Sequence, residues 1–283
     1  MQIVTWNVQW CRGCDGRVDP ARIVAEARAF ADFDVLCLQE VAGNFPALPG
    51  SGGEDQFALL AAQLPGYTAV RGIAVDTAAP DGTRRSFGNM ILSRYPVLQA
   101  VRVQLPWPSD PDVRSMPRML LEVLLQTPFG LVRVMTTHLE YYSAAQRQAQ
   151  VEAVRSRHAE ACEHALRDRF RDESNGPFHS VEQTVSAVLT GDFNLRPTDP
   201  LHARLGAAFE AAGMPAFDDA WAQLHPGVPQ PPTTGVHDRD QWPEPFACDF
   251  IFTTRDLHDR LRALEVDATT QASDHQPLRL ELG

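Results

Sequence analysis

Val185-Ser186-Ala187-Val188-Leu189-Thr190-Gly191-Asp192-Phe193-Asn194 is an apolar run of strand length that stops on a glycine and two polar residues two positions apart. Such a run reads as a buried strand, and the ends of strands are where rigid scaffolds deliver reactive groups. The pattern recurs along the 283 residues. Asn7 follows the run 3–6, Gln39-Glu40 follows 35–38, His138 ends 132–137, and Ser273-Asp274-His275 precedes the last run, 278–280. One such residue means little, because Asp and Asn favour turns through their own hydrogen bonds and Glu is ordinarily solvated. Asn7, Glu40, Asp192, Asn194, Asp274 and His275 together are harder to assign to local turn chemistry. Brought to one rim, they offer hard oxygen ligands, which suit magnesium or manganese rather than zinc.

Outward from this stretch, further strand-like runs lie at 90–92, 119–125 and 250–252, several of them apolar on both faces. Helical spacing of Ala, Leu, Glu and Arg marks Pro20–Phe30, Gln56–Gln63, 143–169 and 201–212. Thr127-Pro128-Phe129-Gly130 between 119–125 and 131–136 predicts a hairpin. A hairpin means antiparallel pairing, so a simple doubly wound parallel sheet is disfavoured. Two packed sheets with helices outside would bury these runs. The segments 76–88, 105–118, 171–182 and 226–245 read as loops, either cleft walls or surface insertions. The expected organisation is a single domain, 1–283.

Composition is that of an ordinary globular protein, 44% hydrophobic and 22% charged. The net charge of −11, with all 25 basic residues arginine, argues against a surface that grips nucleic acid throughout. It leaves room for a local basic groove, for which Arg84, Arg85, Arg114 and Arg118 are candidates, with Phe87 and Trp107 as stacking or packing aromatics. No run is long enough to span a bilayer. The start of the chain has no secretory pattern, and the odd count of five cysteines suggests reduced thiols, so a cytoplasmic location is expected. Cys11-Arg12-Gly13-Cys14 lacks a second ligand pair and carries no zinc expectation.

Thr5-Trp6-Asn7, Leu38-Gln39-Glu40, Gly191-Asp192-Phe193-Asn194 and Ser273-Asp274-His275 stand in an order that resembles the endonuclease/exonuclease/phosphatase superfamily. Between them, Gly88-Asn89-Met90-Ile91-Leu92-Ser93-Arg94, Thr137-His138-Leu139-Glu140 and Cys248-Asp249-Phe250-Ile251-Phe252 also look like family elements. The resemblance spans Thr5 to Leu278. It implies an α/β four-layer sandwich of two mixed sheets flanked by helices, with the site at one end of the sheets. It further implies a magnesium-dependent hydrolase, manganese being an alternative ion, that cleaves a phosphoester, most readily a phosphodiester of nucleic acid, lipid or small-molecule type. Glu40, Asn7 and Asp274 are the implied metal residues. Asp192 and Asn194 resemble the pair that orients the attacking water, His275 the phosphate-facing histidine, and Asp249 the carboxylate that fixes its tautomer. His138 would donate to a phosphate oxygen and speaks against abasic-site repair, where tyrosine is usual. Asn89 and Arg94 are candidate substrate contacts. Gln9 stands where many members carry a second acid, which favours one metal. The competing reading is a non-catalytic binding module of the same fold. No obligate protein partner is expected.

Overall fold

Strands apolar on both faces need cover on both, and the computed structural model, which describes residues 1–167 and 170–283, supplies it with two sheets packed face to face and helices outside. The strands β1 (Gln2–Asn7), β2 (Val35–Gly43), β3 (Thr68–Ala78) and β4 (Arg84–Ser93) begin the first sheet. The second is formed by β5 (Val97–Gln104), β6 (Met119–Thr127), β7 (Gly130–His138), β8 (Ala187–Asp192), β9 (Phe217–Asp219) and β10 (Asp249–Thr254). The chain then returns to the first sheet with β11 (Leu261–Val266) and β12 (Leu278–Leu282). The strand orders are β11-β12-β1-β2-β4-β3 and β5-β6-β7-β8-β10-β9. Each sheet holds one parallel pair, β1 with β2 and β7 with β8, and is otherwise antiparallel.

Alternation along the strands divides the core into three. Ile3, Val35, Cys37, Ile91, Val123, Val134, Val188 and Ile251 point between the sheets. Val4, Trp6, Leu36, Leu38 and Met90 point the other way, against α1 (Pro20–Phe30) and α2 (Gln56–Gln63). Leu120, Met135, Leu189, Phe250 and Phe252 pack with Val151 and Val154 of α3 (Ala144–Leu166) and Leu205 of α4 (Pro200–Leu205). A short α5 (Ala220–Leu224) adds Trp221 to the central cluster. Helix starts follow capping chemistry. The Asp19 carboxylate accepts from the Ala21 and Arg22 amides ahead of Pro20, and the Ser143 hydroxyl accepts from the Gln146 amide. No described helix is long and apolar enough to cross a membrane.

Three sequence expectations change. The helix over 143–169 runs from Ala144 to Leu166, and Asp168 and Arg169 lie outside the described residues. The helix expected over 201–212 stops at Leu205 with Gly206 at its C-cap, and Arg155 of α3 donates through Nη1 to the carbonyls of Arg204 and Leu205 and, beyond the helix, of Ala207. The segment 76–88 is mostly the β3–β4 hairpin, its turn confined to 79–83.

Candidate active site

The two parallel pairs end side by side, and their last residues meet. β1 ends in Asn7, β2 carries Glu40, β7 ends in His138 and β8 in Asp192, while β10, antiparallel to β8, starts there with Asp249. Glu40 is aimed by a local device. It lies in a β-bulge between Leu38 and Val41 with φ 60°, so the strand kinks and turns the carboxylate into the cleft. Gly191, at φ 140°, allows the close approach of β8 to β7, since a Cβ there would stand 2.0 Å from the Thr137 carbonyl oxygen. Two bonds fasten the segment before β12 to β1: Ser273 Oγ donates to the Asn7 carbonyl at 2.8 Å, and Trp6 Nε1 to the His275 carbonyl at 2.8 Å.

Asn7 Nδ2 donates to Glu40 Oε1 at 3.1 Å and to Asp192 Oδ2 at 2.9 Å, bridging acids from the two sheets. Asp192 Oδ1 accepts from the Asn194 amide at 2.9 Å, and Asn194 Nδ2 donates to the Leu139 carbonyl at 2.8 Å. His138 Nε2 lies 3.5 Å from Asp192 Oδ2 and 3.8 Å from Glu40 Oε1. His275 turns Nε2 toward Asp192 Oδ2 at 3.7 Å and Nδ1 toward Asp249 Oδ2 at 2.8 Å. The Thr233 hydroxyl donates to the same Asp249 oxygen at 2.6 Å.

Electrostatics give these groups different states. Burial, then the field of Asp274, pushes the Glu40 carboxyl up to about 7. Burial, then Asp249, pushes Asp192 up to about 6. Burial alone would depress His275, but Asp249 first, with Asp192 and Asp274, outweighs it, so its pKa stands well above the usual range and the ring is imidazolium. His138 moves the other way, held neutral by burial and by the charges of Arg118 and His275. Glu40, Asp192, Asp249 and Asp274 outnumber the one imidazolium among them, an excess of acid that fits a divalent metal, and the donors at hand are carboxylate oxygens. Asp192, Cys248 and His275 also bring ligand atoms within 4.8 Å of one another, but His275 Nδ1 is engaged by Asp249, and burial keeps the Cys248 thiol protonated. Glu40 is the acid best placed to take an ion.

The structure differs from the sequence expectations at four residues. Asn7 does not present its oxygen to an ion: its Oδ1 accepts from the Gln9 amide at 3.1 Å, and its nitrogen meets the acids. Asp274 Oδ2 is taken by three N–H donors, Gln9 Nε2 at 3.0 Å and Gln241 Nε2 and Trp242 Nε1 at 3.1 Å each, so it anchors a loop instead of standing open as a ligand. Arg94 is at the wrong end of the sheet for substrate. It follows the last residue of β4, which pairs with the first of β2, and its guanidinium bonds Asp32, Asp34 and Tyr67. Asn89 is buried and donates to the Met119 carbonyl at 3.1 Å, behind His138 instead of on the open cleft.

Sequence reasoning named Arg118 only as one of four candidates for a local basic groove. It is buried, its Nε pairs with the buried Glu140 at 3.2 Å, and its Nη1 has no partner among the described residues beside His138. Thr233, Gln241 and Trp242 carried no motif signal, since their importance comes only from the loop folding back over Asp274 and Asp249.

The comparisons with known proteins bear on family and fold. A model of the Endonuclease/Exonuclease/phosphatase family matches residues 4–275. No curated protein sequence matches the chain. Among solved structures, an endonuclease/exonuclease/phosphatase from Beutenbergia cavernae DSM 12333 is 29% identical, with a TM-score of 0.71, covering 100% of this chain and 72% of that one. A D. rerio TDP2 complexed with single-strand DNA product is 19% identical, TM-score 0.64, covering 100% and 98%. A mannosyl-6-phosphatase of Bacteroides thetaiotaomicron VPI-5482 is 18% identical, TM-score 0.63, covering 100% and 99%. The last two likenesses speak to the fold.

Proposed function

The chain belongs to the Endonuclease/Exonuclease/phosphatase family, and from that premise we propose that it is a magnesium-dependent hydrolase cleaving a phosphodiester by attack of water on phosphorus, with manganese able to replace magnesium. The observation that carries this reading is the convergence of Glu40, Asp192, His138 and His275 from both sheets around the Asn7 amide. Glu40 would hold a divalent cation, which would supply charge neutralisation and Lewis acidity toward a phosphoryl oxygen. Asp192, an acid raised to about 6, orients the attacking water through Oδ2 and accepts its proton. His275, already protonated, serves as a donor from Nε2 to phosphoryl oxygen and not as the base. Asp249 and Thr233 hold that ring in its orientation. His138 and the unpaired Arg118 Nη1 add donors on the side of the second sheet. Five free thiols, four of them buried, support a reducing compartment such as the cytoplasm.

Purified protein with magnesium should release nitrophenolate from bis-p-nitrophenyl phosphate, and EDTA should stop it. Asp192→Ala should lower kcat by at least about a hundredfold with an unchanged melting temperature. No turnover of any phosphoester in the metal-replete protein overturns the reading and leaves the binding-module alternative.

A further inference from the structure

Around the acids the cleft encloses about 680 Å³, and most of its wall is not polar. Trp10, Phe45, Leu48 and Phe87 line it from the loops and strands of the first sheet. Tyr141, from the segment after β7, faces the same space and packs edge-on against Trp242, their ring centroids 5.5 Å apart. The cations of the lining are Arg12, the imidazolium of His275 and Arg118, the last already paired with Glu140, against the carboxylates Glu40, Asp192 and Asp274. A strand of phosphates binds through cations spread along its length, and on a chain of net charge −11 the lining of this cleft offers Arg12 alone beyond the reaction centre.

The apolar wall is also built at a conformational cost. Gln9, Trp10 and Cys11 all take left-handed backbone, with φ of 45°, 45° and 60°, which side-chain-bearing residues avoid. Bonds from every side hold the kink: the Gln9 amide donates to Asn7 Oδ1, Trp10 Nε1 to the Pro49 carbonyl at 3.0 Å, and Gln56 Nε2 to the Trp10 carbonyl at 2.8 Å. The result is an indole fixed in the cleft wall beside Phe45, whose ring packs edge-on to Phe87 at 6.4 Å. Rigid aromatic walls beside a polar reaction centre are how a pocket holds an apolar substituent.

Resting on the phosphodiesterase reading, we propose that the cleft selects phosphodiesters whose retained ester arm is an uncharged aromatic or aliphatic group, seated against Trp10, Phe45 and Leu48, and disfavours polyanionic strands. Hydrolysis adds water across one P–O bond. The water oxygen stays on phosphorus, and the leaving oxygen departs with the bonding pair.

The test is a series of p-nitrophenyl phosphodiesters that lose the same nitrophenolate and differ in the other arm: methyl, octyl, 2-naphthyl, thymidine 5′-linked, and the last with a 3′-phosphate. The naphthyl or octyl ester should exceed the methyl ester in kcat/KM by at least about tenfold. The larger of the two identifies the arm as aromatic or lipid-like. The 3′-phosphate should lower the thymidyl rate. Trp10→Ala and Phe45→Ala, each checked by melting temperature, should shrink the naphthyl-to-methyl or octyl-to-methyl ratio at least about threefold. Equal rates for all arms, a gain from the 3′-phosphate, or an unchanged ratio in both variants overturns the proposal. If no ester turns over, the hydrolase reading fails. Calorimetric binding of naphthyl phosphate and octyl phosphate against methyl phosphate then decides the apolar preference, and equal affinities overturn it.

Discussion

At Glu40 two demands conflict: burial and the field of Asp274 oppose its charge, while a cation requires it. Glu40→Gln keeps the oxygen that accepts from Asn7 Nδ2 and removes the charge. The variant should therefore melt higher than the wild type in EDTA, by about 2–4 °C for each kcal/mol gained. Magnesium should raise the melting temperature of the wild type, and the variant should lose that rise, a comparison thermal denaturation reads directly. His158 is the second informative residue. Its Nδ1 accepts from Arg133 Nη2 at 2.8 Å and its Nε2 donates to the Pro215 carbonyl at 2.9 Å. A proton on Nδ1 would face a guanidinium, and burial, then Arg133, lowers the pKa to about 4. The unfolded chain thus binds a proton more readily between about 6.5 and 4, so this stabilisation is full above 6.5 and is lost as pH falls through 4. From pH 7 to 5 the loss is about 2 kcal/mol, and His158→Gln should flatten the wild type's slope in urea denaturation by that amount. Placing Arg94 illustrates what sequence hides at this scale. Asn89 and Arg94 share one motif, but β4 runs antiparallel to β2, so its start lies near the site and its end at the far edge.

Arg155 reinforces the end of an element. Arg155→Leu removes the donor from the carbonyls of Arg204, Leu205 and Ala207, at a cost of about 1–3 kcal/mol, and amide exchange over 201–208 should quicken while the sheets stay protected. Apolar spacing ran past that stop although Gly206 marks it locally, and the Arg155 donors that reinforce it come from α3. Strands followed the same logic. Those buried on both faces, such as β2, β6, β7 and β8, were legible as apolar runs. The half-exposed β5 and β11 and the hairpin arm of β4 at Arg84–Ser86, where polar residues alternate into solvent, were not. The β6–β7 hairpin was visible because its turn carries Pro128 and Gly130, the latter at φ 107°.

Across the whole molecule, the shared apolar layer makes the two sheets one unit. Gln39 Nε2, inside it, donates to Thr5 Oγ1 of its own sheet at 3.1 Å and to Thr136 Oγ1 of the other at 2.8 Å. Unfolding should therefore be a single transition, with tryptophan fluorescence, far-UV circular dichroism and loss of hydrolysis superimposing along one urea titration; two separated midpoints would mean the sheets fold independently. Two packed sheets with helices outside could be read ahead from the hydrophobic periods of strands and helices, and the resemblance to the family supplied the four-layer order. The apolar cleft could not, since it is assembled from loops with no common period. The return of β12 to pair with β1 also has a consequence in time. A chain emerging from the ribosome amino end first holds Asn7 and Glu40 early, but Asp274 and His275 reach them only when residues 278–282 can pair with β1. Synthesis thus leaves the acid cluster incomplete, without its histidine cation, until the last strand closes the sheet.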